Sequence, residues 1–97
     1  MKPSLAIVGK TELLRHLVAQ NNLTNPRIFG SAVSGSDREG SDLDILVDGV
    51  TGRTTLLDLA SFKIAAEKLL GVPVDVRTPK SIHESFRSAV IQSARPL

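Results

Sequence analysis

From Asp42 to Asp48 the chain alternates without a break: Leu43, Ile45 and Val47 fall on one side, Asp42, Asp44, Leu46 and Asp48 on the other. Side chains of an extended chain point to opposite faces in turn, so the segment predicts a half-buried strand. It also throws the carboxylates of Asp42 and Asp44 onto one face. Any fold built on this strand must cover its apolar side and then account for the charge on the other. The neighbourhood sharpens that demand. Residues 37–48 hold Asp37, Glu39, Asp42, Asp44 and Asp48 against Arg38 alone, a local net of −4. The whole chain, with twelve basic and ten acidic residues, nets +2, so the remainder carries +6.

Length bounds the rest of the architecture. Ninety-seven residues suit one domain over residues 1–97, burying roughly 60–70% of the surface its unfolded chain exposes, with no room for a separate substrate-binding half. The absence of cysteine excludes a disulfide scaffold, a thiolate nucleophile and a zinc ribbon. Three phenylalanines, with no tyrosine or tryptophan, argue against a stacking platform for single strands. A DNA-binding repressor would rest on the sequence pI near 9.4 alone, so direct nucleic-acid binding is not expected. The apolar run Leu5 to Val8 is too short for a signal peptide or a span of ~20 residues, which points to a cytoplasmic protein with no membrane attachment. Without an export signal the sequon Asn22-Leu23-Thr24 carries no weight.

The periodicities give helix, strand, turn, strand, helix, strand, helix. A first helix is expected from Lys10 to Asn21, with Leu13, Leu14, Leu17 and Val18 on one stripe and Asn22, Asn25 and Pro26 ending it. Arg27-Ile28-Phe29 forms a short strand running into Gly30-Ser31, and Ala32 to Ser41 a turn or single helical turn. Thr55 and Asp58 make a capping box for a helix reaching Leu70, with Leu59, Phe62, Ala66 and Leu69 inward and Gly71 as its stop. Val72 to Arg77 is a third strand. Ser81 and Glu84 form a second box, opening a helix with Ile82, Phe86, Ala89 and Val90 inward. The sum is an α+β domain with a small mixed sheet of about three strands and helices packed against it.

Asp75 lies in the β-branched run Val72-Pro73-Val74-Asp75-Val76. If its strand pairs with the Asp42 strand, faces aligned, three carboxylates converge. Such a trio repels itself and raises at least one pKa unless a cation intervenes. The matching cation is hard and divalent: Mg²⁺ takes oxygen ligands and shares its shell with substrate phosphates, and a pair of ions can clamp both oxygens of an in-line displacement at phosphorus. Gly30 allows backbone N–H groups close to an anion and Ser31 adds a hydroxyl. Each part has a plainer reading: Gly-Ser is a common turn, Asp-x-Asp is often a solvated face, and Asp75 could pair with Arg77 or Arg27. The order and spacing of the combination favour a metal–phosphate site.

Competing motifs fail. Gly9-Lys10-Thr11 lacks the first glycine of a phosphate-binding loop, where Ser4 stands, and Gly30 to Gly35 is followed by Ser36-Asp37 where lysine and a hydroxyl residue are needed. Asp42-x-Asp44 begins like an EF-hand but has Leu46 at the next ligand position. His16 and His83 stand alone on expected helices, without a partner for hydrolytic catalysis.

Phe29-Gly30-Ser31-Ala32-Val33-Ser34-Gly35 followed by Ser41-Asp42-Leu43-Asp44-Ile45-Leu46-Val47 closely resembles the motif of the DNA polymerase β-like nucleotidyltransferase superfamily. In size the chain is similar to the minimal nucleotidyltransferases, the antitoxins of HEPN/MNT toxin–antitoxin pairs. The resemblance implies a polymerase β-like fold and Mg²⁺-dependent nucleotidyl transfer, in which an acceptor hydroxyl attacks the α-phosphate of ATP. By the same resemblance Gly30 and Ser31 hold the triphosphate, and Asp42 and Asp44 ligate two Mg²⁺ ions. Asp75 completes the catalytic-ion site and favours deprotonation of the acceptor. The implied acceptor is a tyrosine of a HEPN ribonuclease toxin, whose adenylylation silences it. Many relatives have arginine where this chain has Ser34, although Arg38 lies nearby in sequence. That departure leaves open a non-catalytic antitoxin that binds and masks its toxin.

Overall fold

The computed structural model describes all residues, 1–97. In chain order the elements are α1 (Pro3–Ala6), α2 (Thr11–Gln20), β1 (Leu23–Phe29), α3 (Ser31–Ser34), β2 (Leu43–Gly49), α4 (Leu56–Leu70), β3 (Val74–Arg77), a 3₁₀ turn (Pro79–Ser81), α5 (Glu84–Ser93) and β4 (Arg95–Pro96). The strands form one mixed sheet in the order β3-β2-β1-β4. β1 is antiparallel to β2, while β3 runs parallel to it after the α4 crossover.

The alternating segment is the central strand. Leu43, Ile45 and Val47 are fully buried and pack with Leu14 and Val18 of α2 and Phe62, Ala66 and Leu70 of α4. Both helices therefore lie on the face the alternation marks as apolar. Leu46, on the opposite face, is fully buried as well, so that face is open only around its charged positions. Leu13 departs from its expected stripe and remains 56% exposed on the flank of α2.

α4 forms as its termini dictate. The Thr55 hydroxyl accepts from the Asp58 N–H, the Asp58 carboxylate accepts from the Thr55 N–H at 2.8 Å, and Gly71 closes the helix at φ 72°. The Thr55 contact is also the leading cause holding the Asp58 pKa below the usual carboxylate value. Phe62, Ala66 and Leu70 are buried, with Leu59 and Leu69 partly so. The connection ends where β3 is fixed to β2: Leu43 N–H donates to the Pro73 carbonyl at 2.8 Å, and Val74 N–H to Glu67 at 3.0 Å.

Four sequence expectations need correction. β1 begins at Leu23 and not Arg27, because Asn25 and Pro26 sit within it at an irregularity between Thr24 and Arg27. A bulge relieves the ladder of the N–H that proline lacks, so these residues interrupt pairing without ending the strand. β4 adds a fourth strand on the far edge of β1, through the pairs Arg27↔Pro96 and Ile28↔Arg95. Ser81 serves Thr78 in the 3₁₀ turn, so α5 is capped instead by His83, whose Nδ1 accepts from the Ser85 N–H at 3.2 Å. Finally, α5 buries no residue: Phe86 is 64% exposed, Ala89 is exposed, Val90 is half-buried, and only the preceding Ile82 reaches the interior. No helix is long and apolar enough to cross a membrane.

Candidate active site

The sheet brings the proposed site residues to one end. The parallel register pairs Asp44 of β2 with Asp75 of β3, and the antiparallel register pairs Asp44 with Phe29 of β1. Gly30 and Ser31 follow Phe29 directly, so they sit at the same edge. Asp42 precedes β2 by one residue and is exposed; Asp44 and Asp75 are half-buried.

The electrostatics single out Asp44. Its carboxyl is pushed up to about 6, chiefly by burial, then by the charges of Asp75 and Asp42, with Arg77 opposing. Desolvation and like charge both penalise the ionised form. Asp75 is held by Arg77, whose Nε lies 3.2 Å from Oδ2; the other candidate partner, Arg27, is 2.7 Å from Asp48 at a distant point of β2. No three acidic or histidine side chains are drawn into a preformed metal cluster. Three carboxylates with one shared arginine have every reason to stand apart, and their all-oxygen donor chemistry is what a hard divalent ion takes.

Gly30 belongs to the same arrangement. Its backbone has φ 74° and ψ −148°, a conformation essentially reserved for glycine. A side chain there would collide with the Asp44 carboxylate: a Cβ would stand 3.2 Å from Cγ and closer still to Oδ2. The glycine thus lets the β1–α3 corner close over Asp44. Its carbonyl accepts from the N–H groups of Val33 and Ser34 at 3.1 and 3.2 Å, which winds α3 into one turn and directs its first N–H groups outward.

Asp37, Glu39 and Asp48, the other acids of the 37–48 segment, each have a partner of their own. Asp37 is only 5% exposed and accepts from the Ser4 N–H at 2.8 Å, the leading cause of its lowered pKa. Glu39 pairs with the Met1 ammonium. Asp48 binds Arg27 and the Asn25 amide. A cleft of about 540 Å³ near Asp48, between Gly49–Thr55 and Thr78–Lys80, holds no other acidic group. A second, of about 600 Å³, opens between Gly30, Val33 and Ser34 and the end of α5 with Arg95. Sequence reasoning missed Arg95, because only the long-range β1–β4 pairing brings it there.

Comparison with known proteins agrees with this fold. Residues 12–97 match the family model described as "Nucleotidyltransferase domain". The Methanocaldococcus jannaschii protein named "Putative protein adenylyltransferase MJ0435" is 36% identical over 78 residues, covering 80% of this chain and 83% of that one. The solved "Structure of putative minimal nucleotidyltransferase" superposes with a TM-score of 0.85 at 38% identity, covering 97% of this chain and 95% of the other. A structure described as "the toxin-antitoxin with AMP-PNP" shares the fold, with a TM-score of 0.73 at 19% identity over 92% of this chain and 72% of that chain. The chain belongs to the nucleotidyltransferase domain family and is a minimal nucleotidyltransferase of the polymerase β-like superfamily.

Proposed function

We propose that the protein is an antitoxin that transfers AMP from ATP to a hydroxyl, a tyrosine of a HEPN ribonuclease partner, and so silences it. The observation that carries the reading is the pairing of Asp44 with Asp75 across β2 and β3 beside Gly30, with Asp42 two residues before Asp44 and the Asp44 carboxyl raised by burial and like charge. The relative named as a protein adenylyltransferase supports a protein acceptor. The fold shared with a toxin–antitoxin structure containing AMP-PNP agrees with a nucleotide-handling antitoxin.

In this reading Gly30 and Ser31 hold the triphosphate through backbone N–H groups and the Ser31 hydroxyl. Asp42 and Asp44 would ligate two Mg²⁺ ions, with Asp75 completing one site. Bound there, the ions would neutralise the charge that builds up around the reacting phosphate. The acceptor oxygen attacks the α-phosphorus, the bond to the β-phosphate oxygen breaks, and pyrophosphate leaves. Asp75, by completing the ion site, favours loss of the acceptor's proton. The chain has no tyrosine to modify in itself, which accords with an acceptor on another protein.

The test is incubation with labelled ATP, Mg²⁺ and the product of the neighbouring gene, followed by mass spectrometry of that product. An AMP adduct that disappears with Asp44→Ala is expected. Toxin neutralisation undiminished in the double variant Asp42→Ala, Asp44→Ala at matched expression would establish masking in place of catalysis.

A further inference from the structure

The Gly30–Ser31 corner offers a phosphate chain dipoles and a hydroxyl but no positive charge. The carboxylates beside it are negative, so a nucleotide tail there needs a cation on its other side. The cleft of about 600 Å³ between α3 and the end of α5 runs along that side, within the usual size of a small-molecule site. Ser34 lines it without charge, its hydroxyl 2.8 Å from Ser36 Oγ and 3.3 Å from the Ser31 carbonyl.

One cation faces this cleft. The chain's ion pairs engage the Met1 ammonium, Arg15, Arg27, Lys63 and Arg77. The Arg87 guanidinium is spent on the Pro79 and Ile82 carbonyls, and that of Arg53 on Asn22. Arg95 lines the cleft with its guanidinium in no ion pair or hydrogen bond, while its backbone is fixed: it pairs with Ile28, Pro96 pairs with Arg27, and the Ala94 and Leu97 N–H groups donate to Val90 and Pro26. The side chain is free to bind and its root is not free to wander.

We infer that Arg95 is a nucleotide-binding residue, gripping the terminal phosphates of the triphosphate across the cleft from Gly30 and Ser34. A guanidinium suits the task because its fork meets two phosphate oxygens at once and stays charged at any working pH. The inference rests on the nucleotidyl-transfer reading for its ligand, but the contact is with phosphate and can be tested without transfer.

The experiment is calorimetric titration of the intact protein with inorganic tripolyphosphate, and separately with ATP and AMP, in Mg²⁺ buffer. Arg95→Gln, which keeps most of the stem and removes the charge, should weaken tripolyphosphate and ATP about tenfold, with AMP unchanged. Arg95→Lys should recover part of the loss. Lys80→Ala, the same change of charge in the cleft at the opposite end of the sheet, should have no effect. Wild type failing to bind tripolyphosphate, Arg95→Gln binding it equally well, or Lys80→Ala weakening it as much would each overturn the inference. Arg95-dependent binding in a protein that never labels a partner would defeat the transfer reading and leave the anion site standing.

Discussion

Asp44 and Asp48 lie on one strand, project from one face and are the same residue, yet the fold treats them oppositely. Asp48 has Arg27 at 2.7 Å and the Asn25 amide at 2.9 Å. Asp44 has no cation of its own: its neighbours are two further carboxylates, and the one nearby arginine is engaged by Asp75. The chain can evidently neutralise an acid on this face and does so at one end only. Leaving a half-buried carboxylate among like charges costs stability, and perturbed groups of this kind cluster at functional sites. Cavity volume does not make the distinction, since a cleft opens at each end.

The strongest way to break the comparison is to remove each charge in turn. Asp44→Asn should lower nucleotidyl transfer about 10³-fold or more, as loss of a group that positions charge at the reacting phosphorus does. Asp48→Asn should leave transfer within about twofold. It should cost about 1–2 kcal/mol of stability, because the Arg27 side chain, only 12% exposed, loses its ionic partner. Transfer assays and chemical denaturation of both variants decide it. Equal loss of activity in the two would erase the distinction between the ends.

Gly30→Ala probes the uncompensated end through its backbone. A methyl group at φ 74° is strained whatever the space, and here it also strikes the Asp44 carboxylate. Displacing a reacting group by about 1 Å can cost about 10²-fold, so a loss of that order in kcat is expected, with a lowered Tm. Gly35, also at positive φ but with open space beyond it, is the control: alanine there should lower Tm while moving kcat far less.

The contrast also explains what could be read without the structure. The alternation of Asp42 to Asp48 exposed the central strand, and the Thr55/Asp58 box and Gly71 stop fixed α4, because these signals are local. Asp42, Asp44 and Gly30 could be proposed because they flank two strands joined by one short connection. The pairing of Asp44 with Asp75 was conditional on register, since α4 intervenes. Arg95 left no local trace, because a two-residue edge strand has no periodicity. The inward face proposed for α5 failed for the opposite reason. Its apolar spacing was genuine, but after the Pro79–Ser81 turn the helix buries none of those residues.

The smallest effect is in the pH dependence of stability, and it has a definite sign. Because the folded-state carboxyl of Asp44 titrates near 6 while its ordinary value is 3.8, the native protein binds more protons there than the unfolded chain between those values. Stability from this group must therefore fall as pH rises from about 4 to 6 and stay low above. Asp44→Asn removes the penalty: it should melt at the wild-type temperature near pH 4 and a few degrees above it at pH 7.5. The expected gap corresponds to about 1 kcal/mol once solvent screening of a half-exposed group is allowed for. Mg²⁺ at pH 7.5 should narrow that gap by stabilising the wild type alone, and should do so less at pH 5, where protons compete for the same oxygens. The lowered pKa values of Asp37 and Asp58 act in the other direction, adding stability above 3.8 that is lost only at more acid pH. They are common to both proteins and cancel in the difference. A wild-type-minus-variant Tm difference that does not change between pH 4 and 7.5 would show that Asp44 is as well compensated as Asp48.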